Sequence, residues 1–230
     1  MNELTIIPLA NLLLGFLPVL LLIVVMKYFG IGAMQPIYAN LRMLIQLLLI
    51  GYILTYIFET DKPIIILLVI AFMILVSAWI AMRPLPERGI KAFTTIVIAL
   101  SASGLAVLIL ISQFIVDLTR PFEPSFIVPI AGMIFANSMN TVSLAGERLF
   151  SEMESGTTYL AARKIAMETA MIPQINTLLA VGLVSLPGMM TGQILSGIDP
   201  LTAARYQIMI MCMISSPAGL SAAMYISLKK

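Results

Sequence analysis

The stretch Pro63-Ile-Ile-Ile-Leu-Leu-Val-Ile-Ala-Phe-Met-Ile-Leu-Val-Ser-Ala-Trp-Ile-Ala-Met82 holds twenty residues and no charge. At about 1.5 Å of rise per residue, a helix of that length measures about 30 Å, the thickness of a bilayer's hydrocarbon core. Polar punctuation bounds it, Glu59-Thr60-Asp61-Lys62 before and Arg83-Pro84-Leu85-Pro86 after. It reads as a membrane span. Carried outward, the same ruler predicts seven spans, at about 8–28, 39–58, 63–82, 92–112, 126–146, 173–195 and 205–228. The expected fold is an all-α polytopic helical bundle forming one transmembrane domain over 1–230.

Composition supports that choice of solvent. Of 230 residues, 60% are apolar and 10% charged, and mean hydropathy is +1.06. Thirteen basic and 11 acidic residues cannot cover a water-soluble body of this size. A soluble enzyme and a disordered chain are thereby excluded, and a net charge of only +2 speaks against nucleic acid as a partner. Histidine is absent, which removes Ser–His and Cys–His pairs and the HExxH zinc site. The single cysteine, Cys212, allows no internal disulfide. No GxxxxGK[ST] phosphate loop occurs, so ATP is not bound here by that device.

Basic residues set the expected orientation. Lys27, Arg42, Arg83, Arg88, Lys91, Arg148, Arg163, Lys164, Lys229 and Lys230 fall on one side of the seven-span arrangement, against Lys62, Arg120 and Arg205 on the other. Ten against three predicts a cytoplasmic C-terminus and an external N-terminus. The connection at 147–172 is longer than the rest and carries seven charges. Ser155-Gly156-Thr157 should divide it into a continuation of the fifth helix over 147–154 and a short half-polar helix over 158–172. Pro173 is expected to open the sixth span as its first helical residue. Such an elbow can lie in the membrane interface or dock on a soluble partner.

No charged side chain falls deep within a span, so the intramembrane carboxylate of a proton- or sodium-coupled carrier is missing. Neutral amides remain: Asn137 and Asn140 three residues apart on one face, then Gln174, Asn176, Gln193 and Gln207. In hydrocarbon each needs a partner, whether a neighbouring helix or a wet path. The run Ser185-Leu-Pro-Gly-Met-Met-Thr-Gly192 should kink or unwind the sixth span at Pro187 and Gly188. Breaks of this kind occur at transport sites, and Gly188 with Gly192 also fits a close packing contact. Seventeen methionines raise the question of a soft-metal site. Met209, Met211 and Met213 point about 200° apart in successive pairs, however, and read as core filling, which leaves the metal ligands unknown.

Four blocks carry a family resemblance: Ile127-Val-Pro-Ile-Ala-Gly-Met-Ile-Phe-Ala-Asn-Ser-Met-Asn140, Val181-Gly-Leu-Val-Ser-Leu-Pro-Gly-Met-Met-Thr-Gly192, Gly197-Ile-Asp-Pro-Leu201 and Arg205-Tyr-Gln-Ile208. In order and spacing the chain resembles the iron-export ABC permease family, which also includes plant aluminium-sensitivity permeases. The resemblance implies a permease half in the inner or plasma membrane, working as a homodimer. ATP-Mg would be bound by two copies of a separate ATP-binding subunit, and this chain would hold no cofactor. It also places ATPase coupling at Glu152, Glu154, Ser155, Gly156, Thr157, Arg163 and Lys164, although this elbow is shorter than the family's. The expected substrate path is lined by Asn137, Asn140, Asn176, Pro187, Gly188, Met189, Met190 and Gln193. Iron or a related metal is the implied cargo; a small organic cargo such as a sugar nucleotide, or an ATP-independent channel, are the alternatives.

Overall fold

In the computed structural model, residues 8–32, 34–60, 62–116 and 122–229 are described. Every regular element among them is helical, and the uninterrupted apolar runs are the reason. The chain divides into two units, 1–59 and 60–230.

The first unit contains α1 (Leu9–Leu14), α2 (Leu17–Tyr28) and α3 (Met34–Phe58). A turn at Gly15 and Phe16 interrupts the expected first span, because Pro18 has no N–H to offer the Leu14 carbonyl and its ring crowds that oxygen. Gly30 closes α2 at φ +74°, a conformation that suits glycine, while Ile31 N–H returns to the Met26 carbonyl. No residue of α2 is buried, and in α3 only Ile57 is. Such uncovered apolar helices are at home in lipid.

The second unit comprises α4 (Pro63–Met82), α5 (Ile90–Leu110) with a π-helical turn at Ile111–Ile115, α6 (Pro124–Glu154), α7 (Tyr159–Ala180), α8 (Gly188–Leu195) and α9 (Pro200–Leu228). Helix α6 is central, packing against α4, α5, α7 and α9. Two glycines let neighbours approach it. A Cβ on Gly104 of α5 would stand 2.5 Å from Cε1 of Phe135, and one on Gly146 would stand 2.6 Å from Leu85 and 3.0 Å from the Tyr225 ring. Helix α7 approaches by a different means. Ala162, Ala166 and Ala170, each fully buried, form a stripe four residues apart that seats against Ala145 and Leu149 of α6 and Ala222 and Ile226 of α9. Small residues allow close backbone approach where lipid supplies no hydrophobic drive between helices.

Among the described residues, six stretches are long and apolar enough to cross a membrane: Asn11–Tyr28, Met34–Phe58, Pro63–Met82, Ile90–Ile115, Pro124–Glu154 and Pro200–Leu228. The expected span at 173–195 is not a continuous helix. Helix α7 runs from Tyr159 straight through Pro173, which therefore lies inside a helix and does not open one. Packing holds α7 on both sides of Pro173, the alanine seam as far as Ala170 and the buried Gln174 bonded to Thr141 beyond it, so the separate helix expected at 158–172 is continuous with residues 173–180. Helicity is lost instead at 181–187, where Val181 is extended and Gly182 sits at φ +83°. The chain forms a tight loop there, Gly182 N–H meeting the Ser185 carbonyl at 2.9 Å, before Pro187 caps α8.

Candidate functional site

The elbow between α6 and α7 forms from a few local bonds. Helix α6 continues to Glu154 as its sequence suggested, then turns at Gly156, whose φ of +85° favours glycine. Gly156 N–H returns to the Met153 carbonyl and Thr157 N–H to that of Glu152, both at 3.1 Å, which uses up free carbonyls at the helix end. The Glu152 carboxylate bridges the turn. One oxygen receives Arg148 at 2.6 Å, and the other accepts from the Thr157 hydroxyl at 3.1 Å. With only 16% of its side chain exposed, Glu152 is better shielded than a surface ion pair. Ser155 bonds back to the Ser151 carbonyl, and Glu154, Arg163 and Lys164 are exposed. Lys164 lies 3.8 Å from Glu168 with both side chains mostly in solvent, a pairing that adds little.

That elbow is tied to the rest of its unit. Tyr159 at the start of α7 donates to the Ile226 carbonyl near the end of α9 at 2.8 Å. Lys229 just beyond α9 meets Glu87 of the α4–α5 loop at 2.6 Å and lies 5.3 Å above the Phe150 ring of α6. Leu85 of the same loop is fully buried against Gly146, and Ser143 donates to the Ala81 carbonyl. Three basic connections that charge had grouped on one side thus meet at one end of the unit. Two open grooves flank the elbow. One of about 340 Å³ lies between Arg163, Lys164 and Met167 of α7 and Ala223 of α9, and another of about 510 Å³ is lined by Thr158, Tyr159 and Leu160.

Further along the same helices lies a second polar group. Gln174 of α7, 7% exposed, donates to the Thr141 hydroxyl at 3.3 Å and reaches Asn137 Oδ1 at 3.5 Å. The Asn137 amide in turn donates to the Met133 carbonyl, and Thr141 to that of Asn137. Asn137 is thus joined with Gln174 and Thr141. Thr141 escaped the sequence reading, although its place four residues after Asn137 puts it on the same face. Asn140 and Asn176 are exposed and take no part in this group, Asn176 lying on the other side of α7 from Gln174. Pro187, Met190 and Gln193 are half-buried, and Gly188 and Met189 are exposed. A Cβ on Gly188 or Gly192 would meet nothing within 4 Å among the described residues, so neither makes a close packing contact with them. Ser138 and Gln207 are buried, and Ser138 Oγ and Gln207 Oε1 find no hydrogen-bond partner among the described residues. Nor do three His, Cys, Asp or Glu side chains cluster as metal ligands among those residues.

The geometry is therefore a helical membrane unit with a stapled elbow at one end, a buried amide–hydroxyl group within it, and an unwound segment flanked by uncovered polar and small residues. Comparison with known proteins agrees with a membrane role. Residues 9–230 match the family described as uncharacterised protein family UPF0014. A UPF0014 membrane protein, slr1647, of Synechocystis is 36% identical over 195 residues, covering 78% of this chain and 75% of that protein. The Escherichia coli protein named probable iron export permease protein FetB is 37% identical over 207 residues, covering 82% and 78%. The Arabidopsis thaliana protein ALUMINUM SENSITIVE 3 is 30% identical over 225 residues, covering 89% and 80%. No solved structure matches the chain. Helices of membrane length, together with a family match that runs over residues 9–230, make this chain a multi-pass membrane protein of the UPF0014 family.

Proposed function

We propose that the chain is the permease subunit of an ATP-driven ABC transporter, exporting iron or a related metal as a homodimer with a separate ATP-binding subunit. ATP-Mg binds to that partner. The C-terminus and elbow lie on the cytoplasmic side of the plasma or inner membrane, the N-terminus outside, and the α7–break–α8 segment supplies a seventh crossing. The observation that carries this reading is the joining of a stapled elbow to a broken helix by one continuous element. Helix α7 starts at the elbow, zips along α6 and α9 through its alanines, and ends at the unwound stretch 181–187.

A push on the elbow by the ATP-binding subunit moves α6 and α7 together, because the Glu152 bridge and the alanine seam leave little slack. The segment 181–187 absorbs the displacement, since its chain is not helical and Gly182 sits at a φ of +83°. Asn140, Asn176, Gly188 and Met189, uncovered in a single chain, then line a path closed off by a second copy. Iron as cargo is supported by the name of the Escherichia coli relative. A small organic cargo is the second reading, favoured by the uncovered neutral amides of Asn140 and Asn176, which suit hydrogen bonding to polar organic groups. Co-purification with an ATP-binding subunit, followed by vesicle export assays offering ferrous iron or a sugar nucleotide, tests both. Export of one cargo, dependent on ATP, is the expected result; ATP-independent flux identifies a facilitator and overturns the reading.

A further inference from the structure

Helix α9 carries a set of sulfur side chains that the permease reading does not use. Met209, Cys212, Met213 and Ser216 follow i, i+3, i+4, i+7 spacing, which places them within about 100° on one helix face. Met211 points away from it. All four line a cavity of about 370 Å³ between α9 and α5, whose π-helical turn supplies Ile111 and Ile115 to the opposite wall. Cys212 is exposed, Met209 half-buried and Met213 nearly fully buried. Arg205, one end of the cavity's lining, stands about two turns from Cys212.

We propose that this cavity is a binding site for a soft monovalent cation, Cu(I) being the physiological candidate, held by the Cys212 thiolate and the Met209 and Met213 thioethers. Thioethers and thiolate are soft donors that favour Cu(I) over harder divalent ions. Charge argues the same way. The Cys212 thiol loses its proton to solvent as the sulfur–metal bond forms, so a univalent ion and one thiolate give a neutral complex, with no change of oxidation state. A divalent ion on the same ligands keeps a net positive charge in an apolar cavity, which is costly. Methionine's flexible chain lets two thioethers converge on one metal without moving the backbone. The π-helical turn fits as well, since such turns are frequent at functional sites.

Because Cys212 is the chain's sole cysteine, one labelling reaction reads the site. Ag(I), a redox-stable soft cation, is added to the detergent-purified full-length protein, and the rate of maleimide labelling is followed. One equivalent of Ag(I) should suppress labelling at least tenfold, whereas a tenfold excess of Fe(II) or Zn(II) should not. The M209L/M213L double variant should need at least tenfold more Ag(I), and M211L should behave as the parent, each variant first shown to elute as a monodisperse species. Equal protection in M209L/M213L would mean that the thiol binds silver alone, and would overturn the proposal. A loss of protection in M211L as large as in the double variant, equal protection by Fe(II), or metal-free protein that resists labelling would overturn it too. The assay needs no ATP-binding subunit, so its outcome is independent of the permease reading.

Discussion

Gly104 and Gly146 are the most tightly enclosed of the described glycines, and small substitutions there test that packing. Gly104→Ala drives a methyl into the Phe135 ring at 2.5 Å, and Gly146→Ala meets Leu85 and Tyr225. Each should lower stability by about 1–3 kcal/mol, seen as a reduced thermal midpoint in detergent. Gly51→Ala on α3 has open space and should be neutral or stabilising by up to about 1 kcal/mol. Two buried glutamines diverge in the same assay. Gln174→Leu removes the donor to Thr141 and Asn137 and should cost about 1 kcal/mol, whereas Gln207→Leu removes an unpaired oxygen and should leave stability unchanged or raised. A midpoint lowered equally by both glutamine variants would contradict this assignment of partners.

Helix α7 is where sequence and structure part. Its break at Gly156 was legible because glycine's conformational freedom is a local property, and so was the run of α6 to Glu154. The passage of α7 through Pro173 was not. Proline's local rule predicts a helix start, and it yields where packing holds both sides, Ala162, Ala166 and Ala170 against α6 and α9 before Pro173 and Gln174 at Thr141 after it, contacts that exist in three dimensions alone. Membrane spans were readable from charge-free runs, but the divided crossing at 173–195 showed only its Pro187–Gly188 signal and not where its first half began. For the candidate site, amides stood out by type, yet Asn140 and Asn176 could not be separated from Asn137 without knowing which face each helix covers. The seam itself is testable. Ala166→Leu should prise α7 from its neighbours, lowering the thermal midpoint by more than Ala161→Leu, which lies on the exposed side. Similar losses from the two would show that the seam does not hold α7.

At the scale of the molecule, loop, elbow and C-terminus form one connected end, through Glu87–Lys229, Lys229 above Phe150 and Tyr159–Ile226. If that end receives force from another subunit, weakening the Glu152 bridge should uncouple hydrolysis from transport without unfolding the chain. Glu152→Gln should change stability by no more than about 1 kcal/mol, read from the thermal midpoint. Its transport-stimulated ATP hydrolysis should fall at least several-fold, and full stimulation would remove the bridge from the coupling route. The sharpest measurement is made on Gly156→Pro, because proline cannot adopt the φ of +85° that the elbow requires. Reconstituted with the ATP-binding subunit in sealed vesicles, the parent should move cargo uphill only while ATP is hydrolysed. The variant should insert normally and lose both cargo movement and its stimulation of hydrolysis. Uphill movement by the chain alone, or parent-like coupled hydrolysis in Gly156→Pro, would contradict the account.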